Sequence, residues 1–245
     1  MPVTPWSPDG TRLAFQSDRG GDRAVFVQRV DGTGRAERLT KPANDESHVP
    51  ESWSRDGRSI LVSVVKGTQF SLSVLSLADR RLVPFGVAST EPIGAVFSPD
   101  GRWVAYRRRG SGGTTSSAED GVFVQPFPAT GAIYQAPRVG IDFHPVWAPD
   151  GNALVYVESA ASGNVVTVAV TARAGLTFGA PASSPAILTG DRISGETRAY
   201  DILPDGRFVG LVEVPDADGS PRNAVREIRV VLNWLEELKR LVPVN

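Results

Sequence analysis

The sequence contains no cysteine, which excludes disulfides, thiolate nucleophiles and cysteine-bound zinc. The redox compartment stays undecided, because a cysteine-free chain suits either. Histidine is almost as scarce: only His48 and His144 occur, without a second imidazole at ligand spacing, and neither a metal nor another cofactor is expected. No sign of charge dominates, since 26 Lys and Arg face 27 Asp and Glu for a formal net charge of −1. That balance lacks the basic surplus that draws proteins to phosphate backbones, so nucleic acid is not expected as a partner. No uninterrupted apolar run approaches the roughly 18 residues of a membrane-crossing helix. The opening MPVTPWSPDG has neither the basic nor the apolar segment of a secretory leader. As written, the chain is expected to be soluble, with no direct membrane insertion. A nucleophile elbow is missing too: no Gly-x-Ser-x-Gly pentapeptide occurs.

What is present is repetition. Asp-Gly pairs end at Gly10, Gly57, Gly101, Gly151 and Gly206, in steps of 47, 44, 50 and 55 residues. This is the period of a propeller blade. Ahead of each pair stands a large apolar residue (Trp6, Trp53, Phe97, Trp147, Ile202), and after it an alternating run such as RLAFQS, SILVSV or ALVYVE. Alternation marks a strand. Pro-Asp-Gly between two strands is a turn with a mechanism: proline presets φ, aspartate bonds the backbone two residues on, and glycine takes a positive φ. The repeated acid is therefore read as structural.

Further strands follow in most units, as in AVFVQRV and AERLT across DGTG, or FSLSVLSL and RLVPFG across ADR. A small sheet with two apolar faces cannot bury them alone, so neighbouring units stack radially. The expected fold is all-β, a single β-propeller of about five four-stranded blades spanning 1–40, 41–86, 87–138, 139–190 and 191–233. The terminal NWLEELKRLVP predicts a short helix over 234–241, with Asn233 as N-cap, Glu236 as its reciprocal partner and Pro243 as a stop. Because the first unit begins at its innermost strand and the last lacks a fourth, two readings stay open. Either five blades close around a short last one, or the chain is part of an incomplete six-bladed ring.

The units PWSPDGTRLAFQSDRGGDRAVFVQRVDGTGRAERLT and PVWAPDGNALVYVE resemble the TolB-type propeller repeat, also called the WD40-like or PD40 repeat. The tail, YDILPDGRFVGLVEV followed by EIRVVLNWLEELKRLVP, resembles the end of propellers attached to bacterial serine/threonine kinases of acidobacterial type. That resemblance implies a sensing module lying outside the cytoplasm in a membrane-anchored parent. Kinase activity itself is not implied, because no Gly-rich phosphate loop, His-Arg-Asp or Asp-Phe-Gly motif is present. The same repeat occurs in periplasmic translocation scaffolds and in prolyl-oligopeptidase-like enzymes, so it specifies fold more closely than function.

Strand direction places the Pro-Asp-Gly corners on one face and the variable loops on the other. Those loops (SDRGGDR, KPANDESHVP, RRRGSGG, GIDFHP, TGDRISGETRAY) carry the candidate contact residues: Arg19, Glu46, His48, Arg109, Asp142, His144, Arg192 and Arg198. Arg107, Arg108 and Arg109 read as a basic cluster at a loop tip. DADGSPRNAVRE from Asp216 has spaced acids but Pro221 where a calcium loop needs glycine, so it reads as a turn. The resulting expectation is a non-catalytic module that binds a protein, peptide or small molecule on the loop-rich face. The alternatives are a propeller hydrolase or lyase with a site at the channel mouth, built on His48 and His144, or a translocation scaffold.

Overall fold

The computed structural model describes residues 5–110, 120–158, 164–172, 175–184, 198 and 200–210. The helix expected over 234–241, the last expected strand, the Asp216 turn and Arg192 lie outside the described residues. All regular structure among those described is strand, in five consecutive antiparallel sheets. The first sheet holds β1 (Arg12–Ser17), β2 (Ala24–Arg29) and β3 (Glu37–Arg38), with Trp6 bridging to Leu13 at the inner edge. The second holds β4 (Glu46–Trp53), β5 (Ser59–Lys66), β6 (Gln69–Ser76) and β7 (Leu82–Ser89) in that order. The third holds β8 (Val96–Phe97), β9 (Trp103–Arg108), β10 (Gly121–Pro126) and β11 (Tyr134–Gln135). The fourth holds β12 (Phe143–Trp147), β13 (Ala153–Val157), β14 (Val165–Ala172), β15 (Leu176–Phe178) and β16 (Ala182–Ser184), and the fifth pairs β17 (Tyr200–Ile202) with β18 (Phe208–Gly210).

Sequential pairing makes the first strand of each blade its inner edge, and these edges touch in order: β4 with β8, β8 with β12, β12 with β17. Between blades lie separate apolar cores. Ile60, Val62 and Leu75 of the second blade pack with Ala14, Val25 and Val27 of the first. Leu61, Leu72 and Phe85 pack with Val104, Tyr106 and Phe123 of the third, whose opposite face meets Trp147, Leu154 and Tyr156 of the fourth. Both faces of each middle sheet are thus apolar, so a blade is stable only between neighbours.

The corners confirm the structural role of their acid. In the first, Ser7 Oγ donates to Asp9 Oδ1 (2.5 Å), the Thr11 amide donates to the same oxygen (3.0 Å), and Ser7 Oγ accepts the Arg12 amide (2.9 Å). The pattern recurs at Ser54/Asp56 and Ser98/Asp100. Gly10, Gly57 and Gly101 adopt φ of 68°, 73° and 72°, which a side chain would strain. At the fourth corner Ala148 replaces the serine, and among the described residues Asp150 keeps only its bonds from Asn152. Ala148→Ser should complete that network and raise stability by ~1 kcal/mol, read as a higher urea midpoint. An unchanged midpoint would mean the hydroxyl is dispensable.

Candidate functional site at the inner ends of the blades

The inner edges are irregular where their sequences carry polar residues. In β4 the pairing with β5 shifts between Pro50 and Ser52, leaving Glu51 at a bulge. Bulges re-aim side chains. Glu51 is buried, and its Oε1 accepts a 2.5 Å hydrogen bond from Ser63 Oγ of β5. Burial raises its pKa to about 7, against the opposing pulls of the Ser63 bond and the positive charge of Arg198.

Arg198 enters from the chain leading into the fifth blade. Its Nε donates to the Tyr200 carbonyl (2.9 Å) and its Nη1 to the Pro145 carbonyl of β12 (3.2 Å). Tyr200 Oη donates to the carbonyl of His144 (2.6 Å). A second irregularity, between Phe143 and Val146 of β12, accommodates these contacts, and His144 takes a φ of 55° there. Asp142 is buried beside it, accepting the Val139 and Gly140 amides at 3.1 Å each, and burial raises its pKa. The His144 ring meets Phe143 edge-on at 4.8 Å.

The Arg107 guanidinium lies over the Phe143 ring, 5.8 Å from its centroid. Arg107 is 1% exposed and pairs with Glu91 at 2.6 Å, while Arg109 reaches the other Glu91 oxygen at 3.2 Å. The three arginines expected at a loop tip therefore end, or directly follow, β9. The alternating strand continues through Arg107 because its charge is matched by Glu91 of the preceding segment.

Asp142, His144 and Arg198 thus gather where the inner edges of the fourth and fifth blades meet, while Arg109 stands beside Glu91 just after β9 of the third. The remaining candidates stand at the first two blades. Arg19 lies 5.2 Å from the ring centroids of both Phe15 and Phe26, and Glu46 is 4.0 Å from Lys66. His48 is buried; its amide donates to the Arg23 carbonyl (2.8 Å) and burial pushes its pKa down. It lines an open groove of about 590 Å³ with Arg38, Lys41 and Arg80. The two histidines therefore sit in different blades against different neighbours. Among the described residues no group of three or more His, Asp or Glu is placed to hold a metal ion.

Reading by loops missed Glu51, Ser63, Glu91 and Tyr200. One signal was available for Glu51: counted back from the apolar residue before each corner, its register holds Ala95, Pro145 and Tyr200 in the later repeats. A carboxyl among such residues is out of pattern.

Five sheets stacked face to face, each with an Asp-Gly corner between two of its own strands, define a β-propeller. TolB from Acinetobacter baumannii superposes with a TM-score of 0.61 at 18% identity, covering 83% of this chain and 46% of that one. No protein-family model matches the chain. Among curated proteins it is 32% identical over 153 residues to an uncharacterized peptidase, YuxL, of Bacillus subtilis, covering 62% of this chain and 20% of that protein. It is 33% identical over 138 residues to tricorn protease homolog 1 of Streptomyces coelicolor, covering 49% of this chain and 12% of that protein. The chain therefore spans about a fifth or less of the curated relatives it matches. These relatives correct the expectation of a module unconnected with catalysis. Both carry protease names, and the absence of a nucleophile elbow within this span is no argument against an enzyme of which the span matches so small a share.

Proposed function

We propose that this propeller is the substrate-receiving part of a hydrolase acting on peptides, with the entrance at the inner ends of the blades, between Glu51 of the second and Arg198 at the fifth. The observation that carries this reading is that Glu51, buried at the inner edge of the second blade, feels the positive charge of Arg198, which is fastened to the Pro145 carbonyl at the inner edge of the fourth. A short peptide has one charge of each sign at its ends, and such a pair matches both. Arg198 is held by two backbone carbonyls, so its planar fork is pre-oriented for a carboxylate before any ligand arrives. Support for peptides as the substrate class comes from the protease names of the two relatives. Loops around the same entrance offer protein or peptide contacts, through Arg109 and its Glu91 partner.

Calorimetric titration of a tripeptide and its C-terminal amide tests the proposal. The free acid should bind at least ~10-fold more tightly than the amide, the worth of a charge-assisted hydrogen bond. Arg198→Met should erase that difference. Equal binding of acid and amide to the unaltered chain overturns the reading.

A further inference from the structure

At the opposite ends of the same strands, the third and fourth corners border a groove of about 390 Å³, lined by Asp100, Arg102, Trp103, Trp147, Asp150 and Asn152 among others. Three observations converge on it.

The first is a departure from the repeat. Asp100 and Asp205 are each paired with an arginine two residues on, Nε to Oδ2 at 2.7 Å in both, and Asp9 and Asp56 accept serine hydroxyls. Asp150 has neither among the described residues: Ala148 stands in the serine position and Asn152 in the arginine position, leaving only neutral donors at 2.9 and 3.2 Å. It is the corner acid with the least compensated charge.

The second is an unmet donor. Trp147 is 6% exposed, and among the described residues its indole Nε1 has no hydrogen-bond partner, nor has that of Trp103 in the same groove, a lack they share with Trp53. Buried indole N–H groups ordinarily find an acceptor.

The third is an internal precedent. Where the first blade meets the second, Arg12, five residues after its corner serine, lies over the Trp53 ring at 5.1 Å. Trp53 and Trp147 are equivalent, each next to the first corner residue, and the position equivalent to Arg12 in the third blade is Trp103. Among the described residues the fold thus supplies its own guanidinium to the ring of Trp53 and none to that of Trp147, where Arg102 is engaged by Asp100 and Asp150 has no arginine partner.

We propose that this groove is a docking site for an arginine side chain presented by a partner peptide, its guanidinium paired with Asp150 and set against the tryptophans. Cation and ring attract through the ring quadrupole, and an adjacent carboxylate adds direction. The site lies at the corner ends of the strands and does not depend on the peptide entrance at their other ends.

The chain's five tryptophans make the test direct, because each gives one indole signal in a nitrogen–proton correlation spectrum. Titration with the blocked peptide acetyl-Gly-Arg-Gly-amide should move the signals of Trp103 and Trp147, assigned through Trp103→Phe and Trp147→Phe, and the citrulline counterpart should not. Asn152→Arg supplies the missing cation as the third and fifth corners do, and Asp150→Asn keeps the turn while removing the charge. Each should weaken binding at least ~10-fold with the remaining spectrum unchanged. Equal shifts with citrulline, no shift with arginine, or undiminished binding by both variants overturns the proposal.

Discussion

Glu51→Gln is expected to raise the thermal midpoint at about pH 8 by roughly 5–10 °C and to leave it nearly unchanged at about pH 4. The sign follows from proton linkage. Glu51 titrates near 7 when folded, against 4.5 for a free glutamate, so between those values the folded state binds the extra proton. Its contribution is fully present below 4.5 and is lost as the pH rises through 7, where ionisation puts a charge into a buried site. A rise of that size corresponds to ~3 kcal/mol, and the carboxyl is only 8% exposed, so solvent screens little of it. Glutamine keeps an oxygen to accept from Ser63 and carries no charge at any pH. Calorimetric melts of both proteins across this range decide the matter. A variant midpoint parallel to that of the unaltered protein at every pH would show that Glu51 titrates alike in the folded and unfolded chain and overturn the expectation. The same titration bears on the peptide entrance, since a ligand amine would stabilise the ionised carboxylate and be held more tightly above pH 7.

Removing Glu91 should act in the opposite direction. Arg107 is all but fully buried and Glu91 is its 2.6 Å partner, so Glu91→Leu leaves a guanidinium in the interior with its nearest carboxylate gone. Breaking a buried pair from one side costs ~3 kcal/mol, and the melting temperature should fall by roughly 6–10 °C. Burial already depresses the pKa of Arg107, and Glu91 is the main opposing influence. The double replacement Glu91→Leu with Arg107→Met should recover most of the loss, because two apolar side chains need no compensation. If the single variant melts like the unaltered chain, the pair adds nothing to the stacking of the third and fourth blades.

The corners were legible because everything that makes them lies within six residues. Ser98, Asp100 and Gly101 satisfy one another locally, and the strands on either side announce themselves by alternation. Less legible was the basic run at Arg107 to Arg109. Read alone it suggests a solvated loop tip; in the structure it is strand, because Glu91, sixteen residues earlier, returns beside it. Asp142 and His144 were legible as polar residues near an inner strand, but whether they face solvent depends on Phe143 and Tyr200, which pack from two different blades.

Taken alone, the sequence determined the repeat, the strand-corner-strand unit and the direction in which blades stack, since turn chemistry and period-two burial are properties of short segments. Only the tertiary structure decided that Glu51 leaves its ladder at a bulge, that Arg198 is fastened to β12, and that the fourth corner opens a tryptophan-lined groove with an acid that has no arginine or serine partner among the described residues. The physical reason is that burial, charge and hydrogen bonding are set by what adjoining blades bring to a residue. Those partners stand far away along the chain.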